Sequence, residues 1–156
     1  MGTYTKPGLR LLMADDSEAD QLFVRNALDA SGVVTSFNAV SDGREAIDYL
    51  QAKGDFANRA RFPFPNILLL DIKMPGVNGF EVLTWLRDHP ECKVIPTIMF
   101  SSSAMELDVH QAYVLGANAF MVKPTSAKEL TQLIQLTYQF WSHCETPAPP
   151  PGQRCC

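Results

Sequence analysis

The chain has 156 residues, 46% of them apolar and 19% charged, with a formal net charge of -4 and a pI near 5.3. That length suits one domain around one core, and the acidic balance argues against a protein that holds nucleic acid by general electrostatics. No stretch approaches the roughly 20 apolar residues that span a bilayer, and the N-terminal MGTYTKPGLRLLMADD has no signal-peptide profile, so a soluble, cytoplasmic protein is expected.

Short apolar runs alternate with longer segments of helical period, the sequence form of repeated βα units and therefore of an α/β fold with a parallel sheet. Residues 10–14 form the first expected strand. It runs into Asp15-Asp16-Ser17, where Asp16-Ser17 suits a helix N-cap, and Leu22, Phe23, Ala27 and Leu28 give the next helix an apolar face that ends at Ser31-Gly32. Residues 35–40 form the second strand. The helix after it, 44–52, turns Ala46, Ile47 and Leu50 inward and stops at Gly54. The connection GDFANRARFPFP, 54–65, is about twice the usual length of a crossover loop, which predicts a functional surface.

Residues 66–70 form the third strand, and NILLL runs without interruption into Asp71. A helix opening at Gly79 presents Val82, Leu83 and Leu86, and Pro90 halts it. Residues 97–101 are the fourth strand, followed by a polar helix, 106–115, whose expected buried stripe is Val109, Ala112 and Tyr113. Residues 119–122 are the fifth strand. Ser126-Ala127-Lys128-Glu129 fits a capping box, and the long helix it opens carries Leu130, Leu133, Ile134, Tyr138 and Trp141. The Pro-rich CETPAPPPGQRCC, 144–156, is expected to be extended and mobile.

Cys92, Cys144, Cys155 and Cys156 have neither C-x-x-C spacing nor a companion histidine cluster, so neither a zinc site nor a disulfide framework is indicated and reduced thiols are expected. The final Cys-Cys superficially matches double-cysteine prenylation ends, but the nucleotide-binding motifs that accompany those are missing.

In an open parallel sheet the strand carboxyl ends share one edge, where ligands bind. This sequence puts Asp15-Asp16 after strand one, Asp71 after strand three, Ser101-Ser102 at strand four and Lys123-Pro124 after strand five. Crowded carboxylates repel unless a cation joins them or some are protonated, and hard oxygen donors in low number with room for water suit Mg²⁺. A carboxylate is a competent nucleophile toward phosphorus when a metal neutralises the phosphoryl oxygens. The Ser101 hydroxyl and the Lys123 ammonium could each then serve one phosphoryl oxygen. Taken singly, each residue has a plainer explanation as a cap, turn or loop residue.

Four ordered segments, LLMADDSEAD, LLLDIKMPGVNGFEVL, IMFSSS and GANAFMVKPTSAKEL, resemble the receiver domain of two-component response regulators over residues 8–142 or so. The resemblance implies a doubly wound, flavodoxin-like sheet of order 2-1-3-4-5 with five helices, a receiver domain at 8–143 and a flexible tail at 144–156. It implies that Asp71 accepts a phosphoryl group from a histidine kinase or histidine phosphotransfer protein. Asp16 and Asp71 would bind Mg²⁺ directly, Asp15 mainly through water, and the backbone carbonyl of Lys73 would complete the protein ligands. Ser101 would be the switch hydroxyl, Lys123 the ion-pair partner, and Phe120 the aromatic switch residue that works by ring packing alone, since it lacks a hydroxyl. Pro124 would follow a cis peptide.

Output would pass through the face built from the fourth helix, fifth strand and fifth helix, to a protein partner or a homodimer, with no direct contact to nucleic acid. Tyr138, Phe140 and Trp141 cannot all face one core stripe, which points to an exposed aromatic interface there. The long 54–65 connection and extended last helix resemble the stand-alone regulators paired with phytochrome-type kinases. A phosphorelay intermediate is one alternative. A Mg²⁺-dependent phosphohydrolase is another, but the haloacid dehalogenase-like group expects a second Asp where this chain has Lys73. A phosphorylation-independent pseudo-receiver is disfavoured by the intact Asp15, Asp16, Asp71, Ser101 and Lys123 set.

Overall fold

A computed structural model describes residues 8–33 and 35–155; the first seven residues and Cys156, on which part of the leader and prenylation readings rests, lie outside it. The strands are β1 (Leu9–Ala14), β2 (Thr35–Val40), β3 (Ile67–Leu70), β4 (Thr97–Ser101) and β5 (Ala119–Val122). All four strand pairings are parallel and the order is β2-β1-β3-β4-β5, as expected. The helices are α1 (Glu18–Ser31), α2 (Gly43–Leu50), α3 (Gly79–Arg87), α4 (Pro90–Lys93), α5 (Glu106–Val114) and α6 (Ala127–His143), with short 3₁₀ turns at Gly54–Ala57 and Pro151–Gln153.

Among the described residues the five expected helices are present, and a single four-residue turn of helix, α4, is added between α3 and β4. Pro90 does not merely halt α3: it occupies the first turn of α4, where its missing N–H is no loss and its fixed φ suits a helix start.

The unbroken apolar run of β3 is explained by two cores. Leu68 and Leu70 join Leu12, Ala14 and Met99 on the side covered by α2, α3, α4 and α5. Ile67 and Leu69 join Leu11, Met13, Ile98 and Phe100 on the side covered by α1 and α6. Alternate side chains point to opposite faces, so a strand with helices on both sides must be apolar at every position.

Some helix faces differ from expectation. In α1 Ala27 and Leu28 are buried as expected and Phe23 packs against the core, but Val24 completes the buried i, i+3, i+4 stripe and Leu22 is 57% exposed. In α5 only Ala112 is buried, and Tyr113 lies on the solvent side.

The 54–65 connection is packed against the body. Tyr49, Phe56 and Phe62 form an aromatic cluster with centroids 5.1 to 5.9 Å apart, and the Tyr49 hydroxyl donates to the Pro63 carbonyl at 2.9 Å. Burial pushes the Tyr49 phenol up to about 12, against the opposing pull of the Arg59 charge. Arg59 donates to the carbonyls of Tyr49, Leu50, Phe62 and Gln153 at 2.8 to 3.2 Å, tying α2, the connection and the C-terminal segment together.

That segment is also fixed at its end. Residues 145–150 have no regular structure, but the backbone N–H of Cys155 donates to Leu50 O at 2.9 Å. Cys155 is buried and is joined to Cys92 of α4 by a disulfide, with Cα atoms 5.7 Å apart. The expectation of reduced thiols is corrected for this pair: sequence spacing says nothing about two cysteines that the fold brings within bridging distance. Cys144 is a free thiol.

Candidate functional site

The carboxyl edge of the sheet is stitched together by backbone bonds before any side chain acts. Asp15 N–H donates to Val40 O at 3.0 Å and Asp71 N–H to Ala14 O at 2.9 Å, which seats both acids against neighbouring strand ends. From α1, the Gln21 amide donates to Asp15 O and Val40 O at 2.7 and 3.3 Å. Behind Asp71, Gly79 N–H donates to Ile72 O at 2.9 Å, and a Cβ at Gly79 would collide with the Asp71 carbonyl oxygen. Glycine is required there so that α3 can begin against the acid-bearing loop. Asn78 and Glu81 close a capping box around that helix start.

The side chains converge. Asp15 is fully buried and Asp71 is 8% exposed, whereas Asp16 faces solvent. One oxygen from each of Asp15, Asp16 and Asp71 lies within 4.8 Å of the others. Asp15 Oδ1 accepts from Ser17 N–H at 2.9 Å and Asp71 Oδ1 from Ile72 N–H at 2.8 Å. The Lys123 ammonium enters between them, 2.7 Å from Asp15 Oδ2, 2.8 Å from Asp20 Oδ2 and 3.2 Å from Asp71 Oδ2.

Burial pushes the Asp71 carboxyl up, as does the Asp15 charge, while Lys123 and the Ile72 N–H pull it down; the net direction is up. Burial alone would lower Lys123, but its short contacts with Asp15 and Asp20 and the charges of Asp71 and Asp15 outweigh it, so the ammonium is held above its ordinary range.

A divalent cation fits this donor set. Asp15 Oδ2 is fully buried and, although close to Lys123, has no hydrogen-bond partner of acceptable direction. Three oxygen donors clustered beside such an under-satisfied atom match hard-cation chemistry.

Ser101 is buried at the end of β4, where its Oγ accepts from Ser103 N–H at 3.2 Å. Phe120 of β5 is half-buried against the core on the α2, α3 and α5 side. The Lys73 side chain is exposed beside the site. The expected cis peptide before Pro124 is corrected: every peptide bond among the described residues is trans. Lys123 reaches its carboxylates with the isomer that X-Pro bonds favour by about 0.5–1 kcal/mol.

Sequence reasoning missed Asp20. Its place in the first turn of α1 looks like routine helix-end chemistry, and its partner Lys123 lies 103 residues away.

A 2-1-3-4-5 parallel sheet with an acid cluster, a hydroxyl and a lysine at its carboxyl edge defines a flavodoxin-like protein that brings a cation seat and an anion-pairing ammonium to one carboxylate. The family model described as the response regulator receiver domain matches residues 11–135, and the chain belongs to that family.

It is 32% identical over 141 residues to the response regulator Rcp1 of Synechocystis sp., covering 90% of this chain and 94% of that protein. A Mn²⁺-bound crystal structure of Rcp1 matches with a TM-score of 0.78, covering 91% of this chain and 100% of that one. Response regulator RPA3017, from red light signaling of R. palustris, matches at 29% identity and TM-score 0.84, covering 90% of this chain and 99% of that one. The phosphorylated cyanobacterial phytochrome response regulator RcpA matches at 31% identity and TM-score 0.80, covering 91% and 100%.

Proposed function

We propose that this response regulator takes a phosphoryl group onto Asp71 from a histidine kinase or histidine phosphotransfer protein, in a Mg²⁺-dependent reaction in the cytoplasm. Residues 8–143 are the receiver domain and 144–156 a C-terminal segment. The observation that carries the reading is the convergence on Lys123 Nζ of Asp15 and Asp71, two members of the acid cluster. The relatives named for phytochrome and red-light signalling support a phytochrome-type kinase as the partner class.

In this reading the P–O bond to Asp71 Oδ forms as the P–N bond to the donor imidazole breaks, the electron pair leaving with the imidazole. Asp16, Asp71 and the Lys73 carbonyl would hold Mg²⁺ directly and Asp15 mainly through water, and the ion would supply charge neutralisation for the phosphoryl oxygens. Lys123 gives its ammonium to one phosphoryl oxygen and Ser101 its hydroxyl to another. The product adds about -1.5 to -2 charge at Asp71. Drawing Ser101 toward it moves the loop between β4 and α5, and Phe120 repacks inward, which biases an existing two-state equilibrium.

The test is incubation with Mg²⁺ and labelled acetyl phosphate. Stoichiometric, hydroxylamine-labile label is expected; rapid multiple turnover would instead mark a phosphohydrolase, and no label even from a phosphorylated kinase would sink the phosphoacceptor reading.

The output surface is α5, β5 and α6, where Leu107, Val122, Leu136 and Phe140 are 78%, 47%, 64% and 62% exposed. Apolar area of this kind favours a protein contact, and a homodimer through this face is proposed. Light scattering at high concentration, with a phosphoryl mimic bound, should give twice the monomer mass; a monomer under those conditions removes the dimer.

A further inference from the structure

We propose that Asp20 is a positioning residue of the acidic site: it holds the Lys123 ammonium when a divalent cation enters the Asp15, Asp16 and Asp71 cluster, and thereby sets the affinity of the cluster for that cation. The proposal rests on reading that cluster as a cation seat.

The ammonium has three carboxylate partners, at 2.7 Å on Asp15, 2.8 Å on Asp20 and 3.2 Å on Asp71. Asp15 and Asp71 belong to the cluster whose oxygens lie within 4.8 Å of one another; Asp20 does not. Cation and ammonium therefore compete for the same two acids, and their like charges repel at short range. An ammonium on a four-carbon stem can shift its three donors without leaving the site, and Asp20 is the partner left to it.

Three features prepare Asp20 for this. Its contact with Lys123 is a well-directed hydrogen bond at 2.8 Å, whereas the closer contact with Asp15 leaves Asp15 Oδ2 without a hydrogen bond. Its backbone N–H is fixed by the Ser17 hydroxyl at 3.2 Å. The first helical turn also favours a negative charge. Without Asp20, the ammonium leans wholly on Asp15 and Asp71 and opposes the cation more strongly.

Mn²⁺ titration of the full chain, followed by water-proton relaxation, provides the test. Asp20→Asn should weaken Mn²⁺ binding about two- to fivefold, the range of a partly screened ion pair. Glu18→Gln removes the same charge from an exposed site in the same turn and should leave binding nearly unchanged, while Asp20→Glu should restore most of the loss. In a Lys123→Met background Asp20→Asn should have no effect, because the residue acts through the ammonium.

Equal losses in Asp20→Asn and Glu18→Gln would overturn the proposal alone, as would an undiminished effect of Asp20→Asn in the Lys123→Met protein. A wild-type chain that binds no Mn²⁺ would overturn the cation-seat reading and this proposal with it.

Discussion

Asp71→Asn is expected to abolish labelling by acetyl phosphate while leaving the metal-free protein no less stable at neutral pH. The loss follows from chemistry: a neutral amide oxygen cannot replace an ionised carboxylate as nucleophile toward phosphorus. The stability half follows from the environment of the acid. Burial and the Asp15 charge raise the Asp71 carboxyl above its unfolded value despite Lys123. A group shifted upward binds its proton more tightly in the folded chain, so its stabilising contribution is full below the unfolded pKa and is lost as pH rises through the folded one. At neutral pH the ionised Asp71 therefore works against the fold, and an amide of the same shape removes that opposition. Thermal melting without divalent cation should give an unchanged or higher midpoint for Asp71→Asn. A midpoint several degrees lower would show that the carboxylate is a structural support, not a strained functional group.

Opening the Cys92–Cys155 bond is expected to lower stability by about 2–4 kcal/mol, the common range for a native disulfide. The bond closes a loop with a sequence separation of 63, for which chain-entropy reasoning gives about 4 kcal/mol. For a chain of this size that corresponds to a fall in melting midpoint of roughly 5–15 °C. Cys155→Ser should melt where the wild type melts in reductant, and reductant should do nothing further to the variant. Identical wild-type melting with and without reductant would mean that Arg59, through Gln153, and the Cys155 to Leu50 backbone bond hold the segment unaided.

Most of the sheet was legible because βα alternation has one economical solution: strands 35–40, 97–101 and 119–122 have the bounds read from sequence. The convergence of Asp15, Asp71 and Lys123 was legible for the same reason, since parallel strands deliver their carboxyl ends to one edge. What escaped were contacts that no local period encodes. Asp20 meets Lys123 only through the docking of α1 against the edge of the sheet, and Cys155 meets Cys92 only because the tail doubles back beneath α2. Leu22 misled because the apolar residues of α1 offer two adjacent stripes, and the choice between them is made by packing.

The two sides of the sheet are unequal. Among the described residues twenty buried ones make up the core on the α2, α3, α4 and α5 side, against ten on the α1 and α6 side. α6 is seventeen residues long yet has only Leu130 buried, and an apolar cavity of about 40 Å³ lies between its Leu133 and Ile134 and the sheet. Sub-global openings begin where few apolar contacts must be broken. Amide hydrogen exchange should accordingly be graded across the molecule: slowest in β1, β3 and β4, and fastest among the helices of eight or more residues in α5 and α6. The two helices that flank the proposed output surface, α5 and α6, each with a single buried residue, are thus the ones the protein can most readily lift away.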